Sequence, residues 1–250
     1  MQSIRWAIGV AAGLSISAFA QGPRPRMGPA GDFALIRGEF GAANKVVQGA
    51  PYSAKAVTQF TQTLSDGNHI QRTNTALVYR DSQGRVRSER TLEAIGSLAA
   101  ADGGASLVSI FDPVAGKSYV LNSTSKTVHE TPIHTPPAAG QRLRGPNPAA
   151  TKSEDLGTQT IQGVVTQGTR TTRTIGAGLQ GNERPIEIAT ETWYSADLQA
   201  VVMSKTSDPR FGDSTYQLTN INRAEPDPAL FVVPSDYTVR ERPDRRSPAQ

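Results

Sequence analysis

Glu187 and Glu191 stand four residues apart in a run, Pro185 to Tyr194, that reads as a β-strand. Side chains an even number apart on a strand share a face. Two carboxylates so placed could do acid–base work on a glycosidic bond. The same pair also fits a solvated strand face crossed by Arg170 or Arg173 from a neighbouring strand, and the charges favour this ordinary cross-strand pairing. His129, Glu130 and His134 offer donors for zinc, with His69 remote in sequence. They lack a defined face and a third nearby imidazole, so they read as solvated linker residues. Asp208 to Asp213 could supply oxygens to calcium but lacks the alternating acids of a calcium loop; Arg210 and Phe211 read as a loop tip. Gly116-Lys117-Ser118 has the end of a phosphate loop, yet Phe111 occupies the place of its first glycine, so it reads as a hairpin turn. Ser123-Thr124-Ser125-Lys126 has the Ser-x-x-Lys spacing of penicillin-binding enzymes without the partner motifs. No catalytic residue, metal ligand or cofactor is assigned on these patterns.

A second group carries apolar rather than acid–base chemistry. Trp193, Tyr194, Met203, Tyr216, Leu218 and Phe231 are large apolar residues in the second half of the chain. They are either core or the lining of an apolar cavity, and they are the candidate ligand-binding residues. Large apolar side chains more often simply pack.

The elements that must position these residues are strands. Val46–Leu64 stops at Ser65-Asp66-Gly67-Asn68, and Asp-Gly is a strong hairpin signal because glycine accepts positive φ. His69–Arg80 follows, then a turn at 81–84, then Arg85–Leu92. Leu107–Phe111, Lys117–Asn122 and Lys126–Thr131 are separated by turns of similar length. Residues 132–153 hold five prolines and two glycines, and proline denies ladder hydrogen bonds, so a long loop is expected. Strands resume with Thr158–Ile161, Val164–Ile175, Pro185–Tyr194, Gln199–Lys205 and Thr215–Asn222. Val164–Ile175 would span roughly 40 Å unbroken, so a bulge is expected at Gly168. Asp227 followed by Pro228 predicts the cap and first residue of a single helical turn. Short turns between strands predict an antiparallel sheet. A sheet this large should curl toward a half-closed barrel. The expected fold is mainly β, a large curved antiparallel sheet with one or two short helices.

The chain has 250 residues, a formal net charge of +4 and no cysteine. Without cysteine there is no disulfide framework, thiolate metal site or thiol nucleophile. Lys and Arg are scattered among acids, not clustered with aromatics, which argues against nucleic acid. Met1–Arg5, the apolar stretch Trp6–Phe19 and Ala18-Phe19-Ala20 have the three parts of a secretory signal, with cleavage expected near Ala20. The apolar run falls short of the ~20 residues of a membrane span. The expected organisation is a signal peptide over 1–20, a flexible leader over 21–44, and one β-rich domain over 45–239. The loop at 132–153 interrupts that domain, and a disordered tail over 240–250 follows it. Localisation is then periplasmic or extracellular, with no span in the mature chain.

One longer pattern remains. Glu191-Thr192-Trp193-Tyr194-Ser195, Asp197 to Val202, Tyr216 to Ile221 and Pro226 to Tyr237 follow one another in order. This resembles the C-terminal end of the LolA-like half-barrels, which include periplasmic lipoprotein carriers and RseB/MucB-type sensors. Gly163 to Tyr237 is also similar to a group of uncharacterised secreted bacterial proteins. The resemblance implies a curved sheet around a helix, enclosing a cavity for acyl chains or a partner's peptide. On that basis the chain is expected to be a non-enzymatic binding or carrier protein, its partner a lipid, a lipoprotein or an envelope protein. The alternatives are an interaction module with a filled core and, on Glu187 and Glu191 alone, a secreted hydrolase.

Overall fold

Alternation of apolar and polar residues, punctuated by Gly- and Asp-containing turns, builds a twelve-stranded sheet in the computed structural model. The structure describes residues 46–91, 106–133 and 149–241. The expected signal peptide, leader, most of the Pro-rich loop and most of the tail lie outside these residues.

The strands are β1 (Tyr52–Thr63), β2 (His69–Arg80), β3 (Val86–Thr91), β4 (Ser106–Asp112), β5 (Lys117–Asn122) and β6 (Thr127–Pro132). They continue with β7 (Ala149–Ile161), β8 (Val164–Ile175), β9 (Ile186–Ser195), β10 (Ala200–Asp208), β11 (Gly212–Asn222) and β12 (Thr238–Glu241). Their spatial order is β12-β6-β5-β4-β3-β2-β1-β11-β10-β9-β8-β7, so the sheet is open, ending at β12 and β7. All neighbours pair antiparallel except β12, which lies parallel to β6. The expected large, mainly antiparallel sheet is what forms. A single 3-10 helix, Pro228–Phe231, is found among the described residues. Asp227 caps it as the sequence predicts, its carboxylate accepting from the Ala229 N–H at 2.9 Å.

Three departures from expectation have a local cause. β1 begins at Tyr52, not Val46, because Gly49 has φ +72° and Pro51 has no N–H to offer a ladder. β7 begins at Ala149, eight residues before Gly157. It is an edge strand, exposed along most of its length, so it lacks the apolar alternation that marks a strand in sequence. The expected bulge lies in β7, between Asp155 and Gly157, and not at Gly168 across from it. Gly168 serves a different end: a Cβ there would stand 2.6 Å from Cζ3 of the Trp193 ring and 2.9 Å from Cβ of Leu156. Further bulges interrupt β1 near Ala54 and β10 at Val202, and bulges bend strands and increase twist.

The sheet is apolar on both faces, at different places. Tyr52, Ala54, Ala56, Ala76, Val78 and Val86 belong to one buried cluster that continues through Tyr216, Leu218, Val202 and Trp193. Val108, Ile110, Leu121 and Val128 form a second. Val86 pairs with Phe111, and Arg87 with Ile110. Adjacent residues on a strand point to opposite faces, so the two clusters lie on opposite faces of the sheet.

The C-terminal segment after β11 covers the second cluster. Glu225 accepts from the Ser82 N–H and hydroxyl, each at 3.0 Å, at the β2–β3 turn. The Leu230 carbonyl accepts from Arg87 at 2.7 Å. Val233 and Tyr237 then pack on Val108, Ile110, Leu121 and Val128. Finally β12 joins the edge of β6, with the Thr238 N–H donating to the Lys126 carbonyl at 2.9 Å. Residues 223–241 are thus a strap running from the middle of the sheet to its far edge. Arg240 and Glu241, expected in the tail, belong to this last strand.

Candidate functional site

The apolar candidates come from three strands and the strap. Trp193 lies on β9, Met203 on β10, and Tyr216 and Leu218 on β11. Trp193, Tyr216 and Leu218 are buried in the first cluster, with Met203 packed beside it. The structure therefore brings four of the six together. Tyr194 is exposed, as the strand alternation next to buried Trp193 requires. Phe231 is buried elsewhere, on the strap, with the Arg85 guanidinium 5.0 Å above its ring.

Three features shape the first cluster. Ala54 and Ala56 on β1 and Ala76 on β2 are small, and Tyr52, Tyr216 and Trp193 are its largest side chains. Gly168 leaves room for the indole of Trp193. That indole is only 8% exposed, and its Nε1–H has no hydrogen-bond partner among the described residues. An unmet buried donor costs about 1–3 kcal/mol.

A residue the sequence reading passed over closes the end of this cluster. Arg80 is buried, its Nε donating to the Ala50 carbonyl at 3.0 Å and its Nη2 to the Leu198 carbonyl. Its guanidinium also lies 4.7 Å from the ring centre of Tyr52. It ties the segment before β1 to the β9–β10 turn. Its signal was an arginine at a position in step with Ala76 and Val78. Next to it, buried Asp81 accepts from the Gln83 and Arg85 N–H groups and pairs with the Arg85 side chain at 2.6 Å. A turn that satisfies its own carboxylate in this way is structural.

The acid–base candidates do not assemble. Four strand residues advance by about 13 Å, whereas glycosidase carboxylates stand roughly 5–9.5 Å apart. Glu191 accepts from Arg170, which also approaches Glu154 at 3.9 Å. Arg170 is held even more firmly protonated by Glu191 through that bond. Glu187 is exposed. Glu191 thus belongs to a cross-strand charge pair, while Glu187 stands opposite Thr174. Glu130 pairs with Lys117 at 2.6 Å, and His134 lies outside the described residues. Among the described residues no three His, Asp or Glu side chains converge on a metal position. Asp208 is engaged by Arg210 at 2.7 and 2.9 Å, and this bond holds its carboxyl below the usual carboxylate range. Gly116 and Lys126 both sit in hairpin turns with positive φ, and Lys126 pairs with Asp236 at 2.9 Å.

No family model matches the chain, and no curated protein matches it either. Solved structures do resemble it at a distance. An uncharacterized conserved protein from Thermus thermophilus is 14% identical, with a TM-score of 0.44, over 85% of this chain and 99% of that one. A chain of the Pseudomonas aeruginosa MucA/MucB complex is 12% identical, with a TM-score of 0.43, over 84% of this chain. The match spans about 62% of that chain's length. A LolA superfamily protein from Nitrosomonas europaea is 10% identical, with a TM-score of 0.33, over 78% of this chain and 96% of that one. These are distant likenesses of structure.

Proposed function

We propose that the protein is a non-enzymatic binding or carrier protein of the cell envelope, acting outside the cytoplasm, whose ligand is apolar with a carbonyl group. A lipid or the acylated end of a lipoprotein has this chemistry. The observation that carries the reading is the buried Trp193 indole N–H, unpartnered among the described residues, inside an otherwise apolar cluster. A ligand carbonyl would satisfy that donor while its chain lay along Tyr216, Leu218 and Met203. Ala54, Ala56 and Ala76, in the same cluster, carry only a methyl group each. The deciding experiment titrates the chain from Gln21 on, whose one indole is Trp193, with a long-chain fatty acid and with an acylated peptide. A saturable change in Trp193 fluorescence is expected. An emission spectrum that neither ligand alters contradicts the proposal.

A second reading, an interaction module with a filled core, draws on the packing. Tyr52, Val202 and Leu218 are wholly buried, as in a core that needs no ligand. Under this reading the same titration is flat and an envelope protein is the partner.

A further inference from the structure

Three hairpins that are neighbours in the sheet turn at the same end. They are β1–β2 with its tip at 64–68, β10–β11 with its tip at 209–211, and β8–β9 with its tip at 176–185. The registers set their heights. Thr61 pairs with Asp213, so Leu64 stands level with residue 210. Ser207 pairs with Ala189, so Ile186 also stands level with residue 210, and the 176–185 loop begins there. Strand spacing puts neighbouring tips about 10 Å apart, in a row of roughly 20 Å. The row is tied together. Arg210 donates to the Gln180 side chain at 2.7 Å, and Gly212 lies so close to the Thr61 carbonyl that no Cβ fits.

Each tip carries one bulky apolar side chain in the open: Leu64 at 36% exposure, Phe211 at 46% and Leu179 at 50%. The Arg210 guanidinium stacks 4.9 Å from the Phe211 ring. The tips hold two acids, Asp66 and Glu183, and two arginines, Arg184 and Arg210, and Asp208 at the base of the middle tip pairs with Arg210 at 2.7 Å, so cations are not in excess. Single exposed apolar residues are ordinary on a protein surface; three on adjacent tips at one level are a row.

We propose that this end of the sheet docks on a lipid bilayer with zwitterionic headgroups, with Leu64, Leu179 and Phe211 entering the interfacial layer. A protein partner would need a pocket matched to each of three side chains standing about 10 Å apart. A fluid interface accepts them at any spacing. With no excess of cations the tips suit headgroups that carry both signs and not anionic ones, and the Arg210–Asp208 pair can stay at headgroup level while the stacked Phe211 enters. The row lies apart from the Trp193 cluster, so this proposal stands or falls independently of ligand binding.

Flotation of the chain from Gln21 on, which lacks the apolar stretch Trp6–Phe19, with vesicles of phosphatidylcholine and phosphatidylethanolamine tests it. The wild type should float with them, and the Leu64→Ser/Leu179→Ser/Phe211→Ser variant should partition about tenfold less or weaker still. Val114→Ser and Val232→Ser, exposed elsewhere, should float like the wild type. Because the chain has no native cysteine, Leu179→Cys and Val114→Cys can each carry a single environment-sensitive dye. A blue shift with vesicles at position 179 and none at 114 supports docking even where the triple variant folds poorly. The proposal is overturned by a wild type that stays in solution. It is equally overturned by flotation that requires phosphatidylglycerol, or by a triple variant that alters only self-association.

Discussion

Arg80 shows what a single residue does here. Its side chain is a buried cation whose donors end on the Ala50 and Leu198 carbonyls. Arg80→Met keeps volume but strands both carbonyls, and should cost about 3 kcal/mol in a denaturant titration. Gly168→Ala drives a methyl into the Trp193 ring, and should cost about 1–3 kcal/mol by the same measurement. Asp208 predicts a pH effect. Its folded carboxyl titrates below its unfolded value because Arg210 holds the charged form. The stabilisation from this pair is therefore full above about pH 3.9 and fades as the pH falls through the lower folded value. Thermal midpoints of Asp208→Asn against pH should show a shallower acid limb than the wild type. At this scale the sequence was legible only in part. Asp227 announced its cap because capping is local. Gly168 was misread because its reason, the Trp193 ring, lies one strand away.

Elements were more legible where they alternate. His69–Arg80, Lys117–Asn122 and Val164–Ile175 form as their patterns predict, since each has a buried and an exposed side. β7 was mostly invisible because both its sides meet solvent and nothing in its composition alternates. The strap was legible only as its helical turn; its path across the sheet depends on tertiary contacts to Ser82, Arg87 and Lys126. Its energetics can be divided. Phe231→Ala removes a buried ring that anchors the strap, and should lose about 3 kcal/mol of stability. Asp236→Asn breaks an exposed pair with Lys126 and should leave the thermal midpoint where it was. Removal of residues 223–250 should uncover Val108, Ile110, Leu121 and Val128, read as increased binding of a hydrophobic dye.

At the scale of the whole molecule, a sheet with an apolar cluster on each face uses them differently. The strap closes the second cluster with residues of this chain. The first holds the Trp193 donor, unpartnered among the described residues, and is where a ligand is proposed to lie. Strand count and turn positions conveyed the open antiparallel sheet, but not which of the large apolar residues would meet. Tyr194 and Phe231 have the same composition signal as Trp193 and Tyr216, and only register and the strap's path separate them. The most direct measurement is native mass spectrometry of the protein purified from its own cell envelope. Ligand carriage predicts a species heavier than the bare chain by one lipid or acylated peptide, lost in Trp193→Ala/Leu218→Ala. A bare chain alone, from gently extracted material that is folded, contradicts it.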